Sequence, residues 1–281
     1  MAAEVWKEEV QYIHDTPIRI VVDDQISMLR GILMPHWHEA VEIDCVLKGR
    51  IYYTVEGVTY KLEQGDIIVV GSGMIHSGRC SEGNTIEDTK AEVMTIQVNK
   101  DVFHYSNYND PVFEVFHPKE NNAELLPVLM RIKTVFQQQH PYYEVLLNSS
   151  LLELCYLLLT EQSQQATSNK SSNTGNSEIK EALEYIENHC LEKLSLEEVA
   201  GILKYNPSYF SRRFHQYTGF TFVEYLNRCR TAVAASKLSE SDKTISEIAL
   251  DCGFPNVSSF ITFFKRQYKM TPESYRKSNK K

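Results

Sequence analysis

Three histidines and one glutamate stand at spacings that could hold a metal ion. His36, His38 and Glu42 fall within one short segment, and His76 follows a later apolar run, DIIVVG. Imidazole nitrogens combined with a carboxylate oxygen suit divalent metals such as Fe, Mn, Ni and Zn. These four residues are therefore candidate ligands for a divalent metal cofactor.

The same four residues fit two other roles. They could be polar contacts in the wall of a small-molecule pocket, or a structural polar cluster that holds no ligand. Trp37 would add an aromatic wall to a pocket. Of the adjacent Tyr52 and Tyr53, only one is expected inside, because successive strand side chains point to opposite faces. The residues alone leave the three interpretations open.

A second group of candidates lies in the last third of the chain, where a helix-turn-helix pattern occurs twice. The copies run over residues 194–220 and 243–270. Each has a short helix with apolar residues at helical spacing, a tight turn, and a second helix with two phenylalanines four apart. Two such helices can enter successive major grooves, which lie about 34 Å apart along DNA. The repeat therefore predicts sequence-specific binding to double-stranded DNA.

In the first copy, the second helix carries four polar residues on one stripe, at helical spacing. These residues are Ser208, Ser211, Arg212 and His215. Phe210 and Phe214 lie on the opposite side and would anchor the helix. Arg212 could pair with O6 and N7 of a guanine, and the serines could contact bases or phosphates.

In the second copy, the outward stripe differs. Its residues are Ser258, Ile261, Thr262 and Lys265. Because the stripe has no arginine and includes Ile261, we expect weaker base readout, with Ile261 against a thymine methyl. Lys265 and Arg266 are placed for phosphates, which set register rather than sequence.

This module resembles the AraC/XylS family of transcription regulators. The matching segments, between residues 194 and 276, are SLEEVA, SYFSRRFHQYTGFTFVEYLNRCR, ISEIALDCGF and SSFITFFKRQYKMTPESYR. The resemblance implies base-reading positions at Ser208, Ser211 and Arg212, and again at Val257, Ser258, Ile261 and Thr262. A regulator of this type also makes RNA polymerase a candidate partner.

The elements that must position the histidines are strands. Between residues 12 and 99, short β-branched and aromatic runs alternate with turn residues: VEIDCVL, RIYYTVEG, VTYKL, DIIVVG and AEVMTIQV. Short strands at this density predict a barrel or sandwich. PHWHEAVEIDCVLKG and EQGDIIVVGSGMIHS resemble the two cupin motifs. That resemblance implies His36, His38, Glu42 and His76 at metal-ligand positions, and a sensor for a sugar or related metabolite.

From residue 121 to 161 the pattern becomes helical, with a break near His140 and Pro141. The second helix is rich in leucine: Leu146, Leu147, Leu151, Leu152, Leu154, Leu157, Leu158 and Leu159. A helix apolar around most of its circumference needs two packing surfaces. We expect one to be its own barrel and the other a partner subunit in a homodimer; a purely intramolecular core is the alternative. The polar segment 162–177 is expected to be a flexible linker.

Charge is divided unevenly along the chain. The net charge is −8, yet from Ala200 onward 14 Lys+Arg stand against 6 Asp+Glu, so the preceding residues carry −16. A basic module on an acidic body is typical of a protein that contacts phosphates. The six scattered cysteines, the lack of a long apolar run and a polar N-terminus favour a reduced, cytoplasmic protein without a membrane span.

Together these patterns predict a multidomain α+β protein: a cupin-like barrel (1–118), a helical dimerisation segment (119–161), a linker (162–177) and an all-α domain with two helix-turn-helix motifs (178–281). The leading hypothesis is a non-enzymatic, ligand-responsive transcription regulator. A metal-dependent cupin enzyme, such as an oxygenase or isomerase, or a metal sensor fused to a DNA-binding module is the alternative. The effector, the operator and the sign of regulation are not predicted.

Overall fold

The computed structural model of the chain describes residues 10–13, 16–23, 32–80, 91–103, 122–165 and 177–279. The chain divides into two compact units. The first is formed mainly by Glu8–Val55 and Thr59–Asn173, and the second mainly by Thr174–Lys281. The predicted linker, 162–177, lies largely outside the described residues.

Within the described residues, the first unit contains two four-stranded sheets, with the orders β1-β8-β3-β6 and β2-β7-β4-β5. The strands are β1 (Ile18–Asp23), β2 (Ile32–His36), β3 (Val41–Lys48), β4 (Arg50–Val55), β5 (Val58–Glu63), β6 (Ile67–Val70), β7 (His76–Cys80) and β8 (Glu92–Val98). Apolar side chains from both sheets form one buried cluster, so the sheets pack face to face. The predicted cupin-like fold is confirmed.

Strand β3 is covered on both faces, which explains its nearly continuous burial. Val41, Ile43 and Cys45 belong to the core shared with the helices of this unit. Glu42 and Asp44 alternate with them and are buried too, so both carboxyl groups point to the interior between the sheets. Two acids at alternate positions of a buried strand therefore face the inside of the barrel.

Helices α1 (Asn122–Gln138) and α2 (Tyr143–Gln165) pack on the outer face of the sheet that contains β3. The leucines of α2 are divided between two environments. Leu147, Leu151, Leu154 and Leu158 are buried in that core, and Leu157 and Leu159 pack at its edge. Only Leu146 and Leu152 are exposed among them. Most of the leucines that suggested a partner subunit are thus satisfied within the chain.

The apolar character of α2 also bears on membrane insertion. Its window Tyr143–Thr160 is long and apolar enough to cross a membrane by length and composition. The four buried leucines account for much of that composition, because they fill the core beneath α2. Core packing therefore explains part of the hydropathy of this helix, since 33% of that window is buried while Val145, Leu146 and Leu152 are exposed.

The second unit is helical throughout its described residues. Its helices are α3 (Ser177–His189), α4 (Leu196–Ile202), α5 (Pro207–Thr218), α6 (Phe222–Glu240), α7 (Ile245–Asp251), α8 (Val257–Tyr268) and α9 (Pro272–Asn279). Helices α4 and α5 form the first helix-turn-helix, α7 and α8 form the second, and α6 connects them. This confirms the predicted repeat and the all-α class of this part.

The short helices of the repeat begin at side-chain caps. Ser195 caps α4, and Thr244 caps α7 in a capping box with Glu247. Asn206 and Asn256 cap α5 and α8 through their side-chain oxygens. Each cap satisfies a backbone N–H that the first helical turn leaves without a partner. Local hydrogen bonds therefore define where both recognition helices, α5 and α8, start.

The two turns of the repeat share one hydrogen-bonding pattern. In the first turn, the N–H groups of Lys204 and Tyr205 donate to the carbonyl oxygens of Gly201 and Ala200, respectively. In the second turn, the N–H groups of Gly253 and Phe254 donate to the carbonyl oxygens of Leu250 and Ala249 in the same way. The pattern is a Schellman motif, whose central residue has positive φ. Lys204 adopts φ 59° and Gly253 φ 75°. Glycine suits this conformation at position 253 because it has no Cβ.

The connecting helix α6 is held to the start of the unit by a buried arginine. Arg230 donates from Nε to Cys190 O (2.7 Å) and from Nη2 to Glu192 O (2.8 Å). On the inner face of α6, Phe222, Leu226 and Cys229 are buried, while Val233 is half-buried. Helix α6 therefore joins both halves of the repeat and the preceding loop into one packed unit.

Candidate functional site

Helix α5 separates an anchoring face from an exposed polar face. Phe210 and Phe214 are fully buried and in ring contact, with centroids 5.5 Å apart. Ser208, Arg212 and His215 are exposed on the other side, and Ser211 is half-buried at its edge. The side chains predicted to read bases thus share one solvent-facing stripe of α5.

Helix α8 has the same division. Phe260 and Phe264 are fully buried with ring centroids 5.5 Å apart. Its exposed residues include Ser258, Thr262, Lys265 and Arg266, whereas Val257 and Ile261 are half-buried. Ile261 is therefore less exposed than the sequence pattern predicted, because helix packing covers part of its side chain. The remaining surface is available for an apolar contact. Thr262 Oγ1 donates to Ser258 O at 2.9 Å, so its oxygen remains an acceptor.

In the first unit, His36, His38, Glu42 and His76 converge as the sequence predicted. One ligand atom from each lies within 4.8 Å of the others, and all four side chains are buried. His36 ends β2, Glu42 lies on β3 and His76 begins β7. Because β3 belongs to one sheet and β2 and β7 to the other, the cluster joins the two sheets.

Backbone contacts define the tautomers of the three histidines. Each Nδ1 faces a carbonyl oxygen: His36 to Met34 at 3.0 Å, His38 to Ala40 at 3.1 Å, His76 to Met74 at 2.9 Å. A carbonyl only accepts, so Nδ1 carries the hydrogen and Nε2 of the neutral ring holds a lone pair. Ligating histidines in metal sites are oriented in this way, by donation from the second ring nitrogen.

The lone pairs are directed at Glu42. His38 Nε2 lies 2.8 Å from Glu42 Oε2, and His76 Nε2 lies 3.4 Å from Oε1 without a hydrogen-bond partner. Two acceptors at such distances repel unless a proton or a cation lies between them. The donor set and the unpartnered buried nitrogen therefore fit a divalent cation.

Glu42 is also held by Gln97 and Tyr53, and Gln97 in turn by Arg19. Gln97 Nε2 donates to Glu42 Oε2 at 2.9 Å, and Arg19 donates to Gln97 Oε1 at 2.9 Å. Tyr53 Oη donates to Glu42 Oε1 at 2.7 Å. Tyr53 is buried while Tyr52 is only half-buried, so one of the two tyrosines faces inside, as predicted. The only sequence signal for Gln97 is a polar residue in the apolar run TIQV.

The pKa values of the buried acids and of His76 are shifted in different directions. Burial alone would raise the pKa of Glu42, but the histidines, His76 first, lower it well below its usual value. Desolvation, followed by the charge of His36, lowers the pKa of His76 well below 6.5. Burial and then the charge of Glu42 raise the pKa of Asp44. These directions favour the ionised form of Glu42, the neutral ring of His76 and the protonated form of Asp44.

Trp37 is the neighbour of this cluster along the chain. It lies between the buried His36 and His38, and alternation along an extended segment directs it to the opposite face. Its side chain is half-buried. A role for Trp37 in a pocket wall therefore needs a pocket on the other side of this segment from the histidines.

Comparison with known proteins matches both halves of the chain. A family model described as "Helix-turn-helix domain" covers residues 199–278, and one described as "Cupin domain" covers residues 31–86. The Transposon Tn10 TetD protein of Escherichia coli is 39% identical over 100 residues, which are 36% of this chain and 72% of TetD. The chain belongs to the AraC family of transcriptional regulators.

Two further relatives differ in how much of the AraC-type chain they match. Regulatory protein PocR of Salmonella typhimurium is 35% identical over 127 residues, 44% of this chain and 42% of PocR. The uncharacterized HTH-type transcriptional regulator YdeC of Bacillus subtilis is 24% identical over 259 residues, 89% of this chain and 88% of YdeC. The chain thus spans less than half of PocR but most of YdeC.

Proposed function

We propose that this AraC-type chain is a ligand-responsive regulator that recognises specific DNA sequences through α5 and α8. The supporting observation is the matched pair of helices, each with buried phenylalanines and an exposed polar stripe. A helix with one polar stripe and an anchored back can lie in a major groove without losing its packing. Because a regulator of this kind works where its DNA is, a cytoplasmic location is part of the proposal.

The two helices have different tasks in this proposal. Arg212, exposed on α5, offers a fork of donors to guanine, with Ser208, Ser211 and His215 beside it. On α8 the exposed stripe offers hydroxyl groups and two cations; Val257 and Ile261 add apolar surface. We assign most of the discrimination between bases to α5. Lys265 and Arg266 of α8 are assigned to phosphate contacts, which strengthen binding and fix the position of the helix along the DNA.

The barrel is proposed to bind the signal. In the leading form, His36, His38, Glu42 and His76 are the polar contacts of a pocket for a small effector in the chemical class of sugars and related metabolites. A signal molecule changes DNA binding only as far as it binds one arrangement of the protein better than another. No catalytic role is proposed, because matching relatives such as YdeC and RhaS are named as transcriptional regulators.

A metal sensor is the second candidate, and the histidine geometry favours it. Three Nε2 lone pairs and the Glu42 carboxylate would hold a divalent cation, which would join the two sheets through one ion. Metal content after mild purification in the absence of chelator separates the candidates. About one equivalent of Mn, Fe, Ni or Zn supports the metal site; less than about 0.1 equivalent in protein and none taken up on addition rejects it.

A homodimer is proposed through the exposed face of α2. Val145, Leu152 and Tyr156 are exposed on α2, and with Ser149 they repeat at intervals of four, three and four residues. That spacing forms the seam of a helix pair. A second copy of the chain is the proposed occupant, because a twofold dimer presents the same seam twice.

The DNA-binding proposal is tested by selection from a random duplex library with the full chain. We expect enrichment of a bipartite motif whose two parts lie about 10 base pairs apart, one helical turn, because one unit carries both recognition helices. Enrichment of no motif would reject sequence-specific recognition. Enrichment of a single short motif would show that only one of the two helices reads bases.

A further inference from the structure

A small basic niche lies between the connecting helix and the second recognition helix. Its lining residues are Glu224 and Arg228 of α6 and Phe263, Arg266 and Gln267 of α8. The open space has room for roughly one water-sized group. An occupant of that size could be a single oxygen atom of a larger molecule.

Two donors that line this niche have no partner within the described residues. Arg228 Nη1 and Gln267 Nε2 are both buried without a hydrogen bond, and Gln267 is only 7% exposed. A buried donor left unsatisfied costs free energy, so such groups usually mark a missing acceptor. Both orphan atoms are donors, which calls for an acceptor oxygen.

Neighbouring residues hold the niche in shape. The Arg228 guanidinium lies over the Phe220 ring, 4.7 Å from its centroid. Glu224 is fixed by its capping box with Thr221, and its Oε1 lies 3.5 Å from Arg266 Nη2. The niche is therefore formed before any ligand arrives, which reduces the entropy lost on binding.

The charge balance also calls for an anion. Arg228 and Arg266 contribute two positive charges and Glu224 one negative charge, leaving one positive charge to neutralise. A phosphodiester group carries one negative charge and presents acceptor oxygens. We propose that this niche takes one backbone phosphate of bound DNA, held by Arg228, Arg266 and the Gln267 amide. The proposal rests on the proposed DNA-binding function and adds a phosphate site that fixes α8 in register.

The salt dependence of DNA binding tests this site. The probe is a 30-base-pair duplex of unrelated sequence, because phosphate contacts persist in non-specific binding. Arg228→Met should reduce the slope of log affinity against log salt by about 0.9, which corresponds to roughly 8-fold weaker binding at 0.1 M salt. Gln267→Leu should weaken binding with little change in slope, since the amide is neutral. Lys277→Met, which removes a charge outside the niche, is the matched control and should change the slope less.

Thermal unfolding and a chemically modified duplex complete the test. Arg228→Met should melt at or above the wild-type temperature, because it removes one of two adjacent positive charges. In a series of duplexes with one neutral methylphosphonate each, one position should weaken the wild-type chain but not Arg228→Met. If the wild-type chain binds DNA and Arg228→Met keeps its slope, the niche holds only water and the phosphate site is rejected. If the wild-type chain binds no duplex at all, the regulator function and the site fail together.

Discussion

Arg212 is the residue on which sequence discrimination should depend most. It is exposed on α5, between the hydroxyl groups of Ser208 and Ser211 and the ring of His215. A bidentate arginine–guanine contact contributes about 1–3 kcal/mol of discrimination. Arg212→Ala should therefore weaken binding to a selected duplex by about that amount while binding to unrelated DNA changes much less. Fluorescence anisotropy on both duplexes at one salt concentration measures the difference.

The adjacent arginine provides the control for that measurement. Arg213 lies with its guanidinium 4.9 Å from the centroid of the Tyr217 ring, half-buried on the flank of the helix. Arg213→Ala removes the same charge and should reduce binding to both duplexes alike. Equal loss of discrimination in both variants would mean that charge, not the Arg212 side chain, sets specificity.

The two repeat turns give an opposite pair of stability predictions. A Cβ at Gly253 would lie 2.6 Å from Leu191 O, and its φ is 75°. Gly253→Ala should therefore destabilise the helical unit by roughly 2–5 kcal/mol, from left-handed strain plus overpacking. Lys204 already holds a left-handed conformation with a side chain. Lys204→Gly should relieve about 1–2 kcal/mol of strain but lose up to about 1 to chain entropy, a net gain of about 0.5.

Urea unfolding monitored by circular dichroism separates these outcomes. In the transition of the helical unit, the wild-type chain, Gly253→Ala and Lys204→Gly should differ in midpoint but share one m-value, since neither change alters the surface exposed on unfolding. A Gly253→Ala variant as stable as wild type would show that the loop at Leu191 moves aside freely.

Residue types and spacing were enough to find His36, His38, Glu42 and His76, because histidine and glutamate carry their chemistry wherever the chain places them. Gln97 could not be found in that way. It lies 55 residues from Glu42, and the two meet only because β8 pairs with β3 in one register, Glu42 opposite Gln97. Register depends on which strands are neighbours in the sheet, and the local spacing of residues does not determine strand order.

Among the elements, those with strong periodicity were predictable. The helices on either side of Pro141 and the five named strand runs appear as α1, α2, β3, β4, β5, β6 and β8. Strand β7 was not specified, because HSGRC has neither β-branched residues nor alternation. It is held by pairing with β2 and β4 on its two sides. Tertiary pairing, not local preference, makes this segment a strand.

Helix α2 shows a different limit of sequence reasoning. Its leucine content indicated two packing surfaces, but the leucines themselves mostly serve the core. The exposed seam is formed by Val145, Leu152 and Tyr156, with Ser149 between them. The composition of α2 predicted that the helix has a second packing surface. Which side chains form that surface depends on the position of each residue around the helix.

A pair of substitutions on this seam tests the dimer. Val145 is 69% exposed and Leu152 49% exposed, and each would lose its contact twice in a twofold dimer. With about 1.5–3 kcal/mol for each buried apolar side chain, Val145→Glu with Leu152→Glu should raise the dimer dissociation constant more than about 100-fold. Sedimentation velocity at micromolar concentration should change from dimer to monomer.

The control places the same charge on an exposed valine of the other unit. Val223 on α6 is 58% exposed, so Val223→Glu should leave the sedimentation coefficient unchanged. A wild-type chain that sediments as a monomer at these concentrations would reject the seam as a dimer interface.

For the whole molecule, the division into two compact units means that stability is not one quantity. Buried carboxyl and imidazole groups cluster in the first unit, at Glu42, Asp44 and His76, whereas the histidines of the second, His189 and His215, are not buried. Two units with separate cores can unfold in separate transitions. Calorimetry should therefore resolve two transitions that respond differently to pH and to metal ions.

Acid should destabilise the first unit through His76. Its pKa is lowered by desolvation and by His36, so the unfolded chain takes up the proton first as the pH falls through 6.5. The free energy of unfolding then decreases by about 1.4 kcal/mol for each unit by which the folded pKa lies below the unfolded one. Asp44 contributes with the opposite sign: its raised pKa lets the folded state hold a proton that the unfolded state releases, so this group increases the free energy of unfolding as the pH falls. His76→Gln isolates the histidine: between pH 7.5 and 5.5 in chelator, the wild-type transition should fall further than that of the variant.

Metal ions should oppose this acid effect if the cluster binds them. A cation and a proton compete for the same Nε2 lone pair, so Mn, Fe, Ni or Zn should raise the first transition most at pH 7.5 and progressively less towards pH 5.5. At 100 times its dissociation constant an ion adds about 2.7 kcal/mol to the stability of the unit that binds it. The second transition should stay where it was, and His76→Gln should abolish the shift of the first. The metal sensor is rejected if no ion changes the temperature of the first transition while acid still lowers it through His76. The four residues are then polar contacts of an effector pocket.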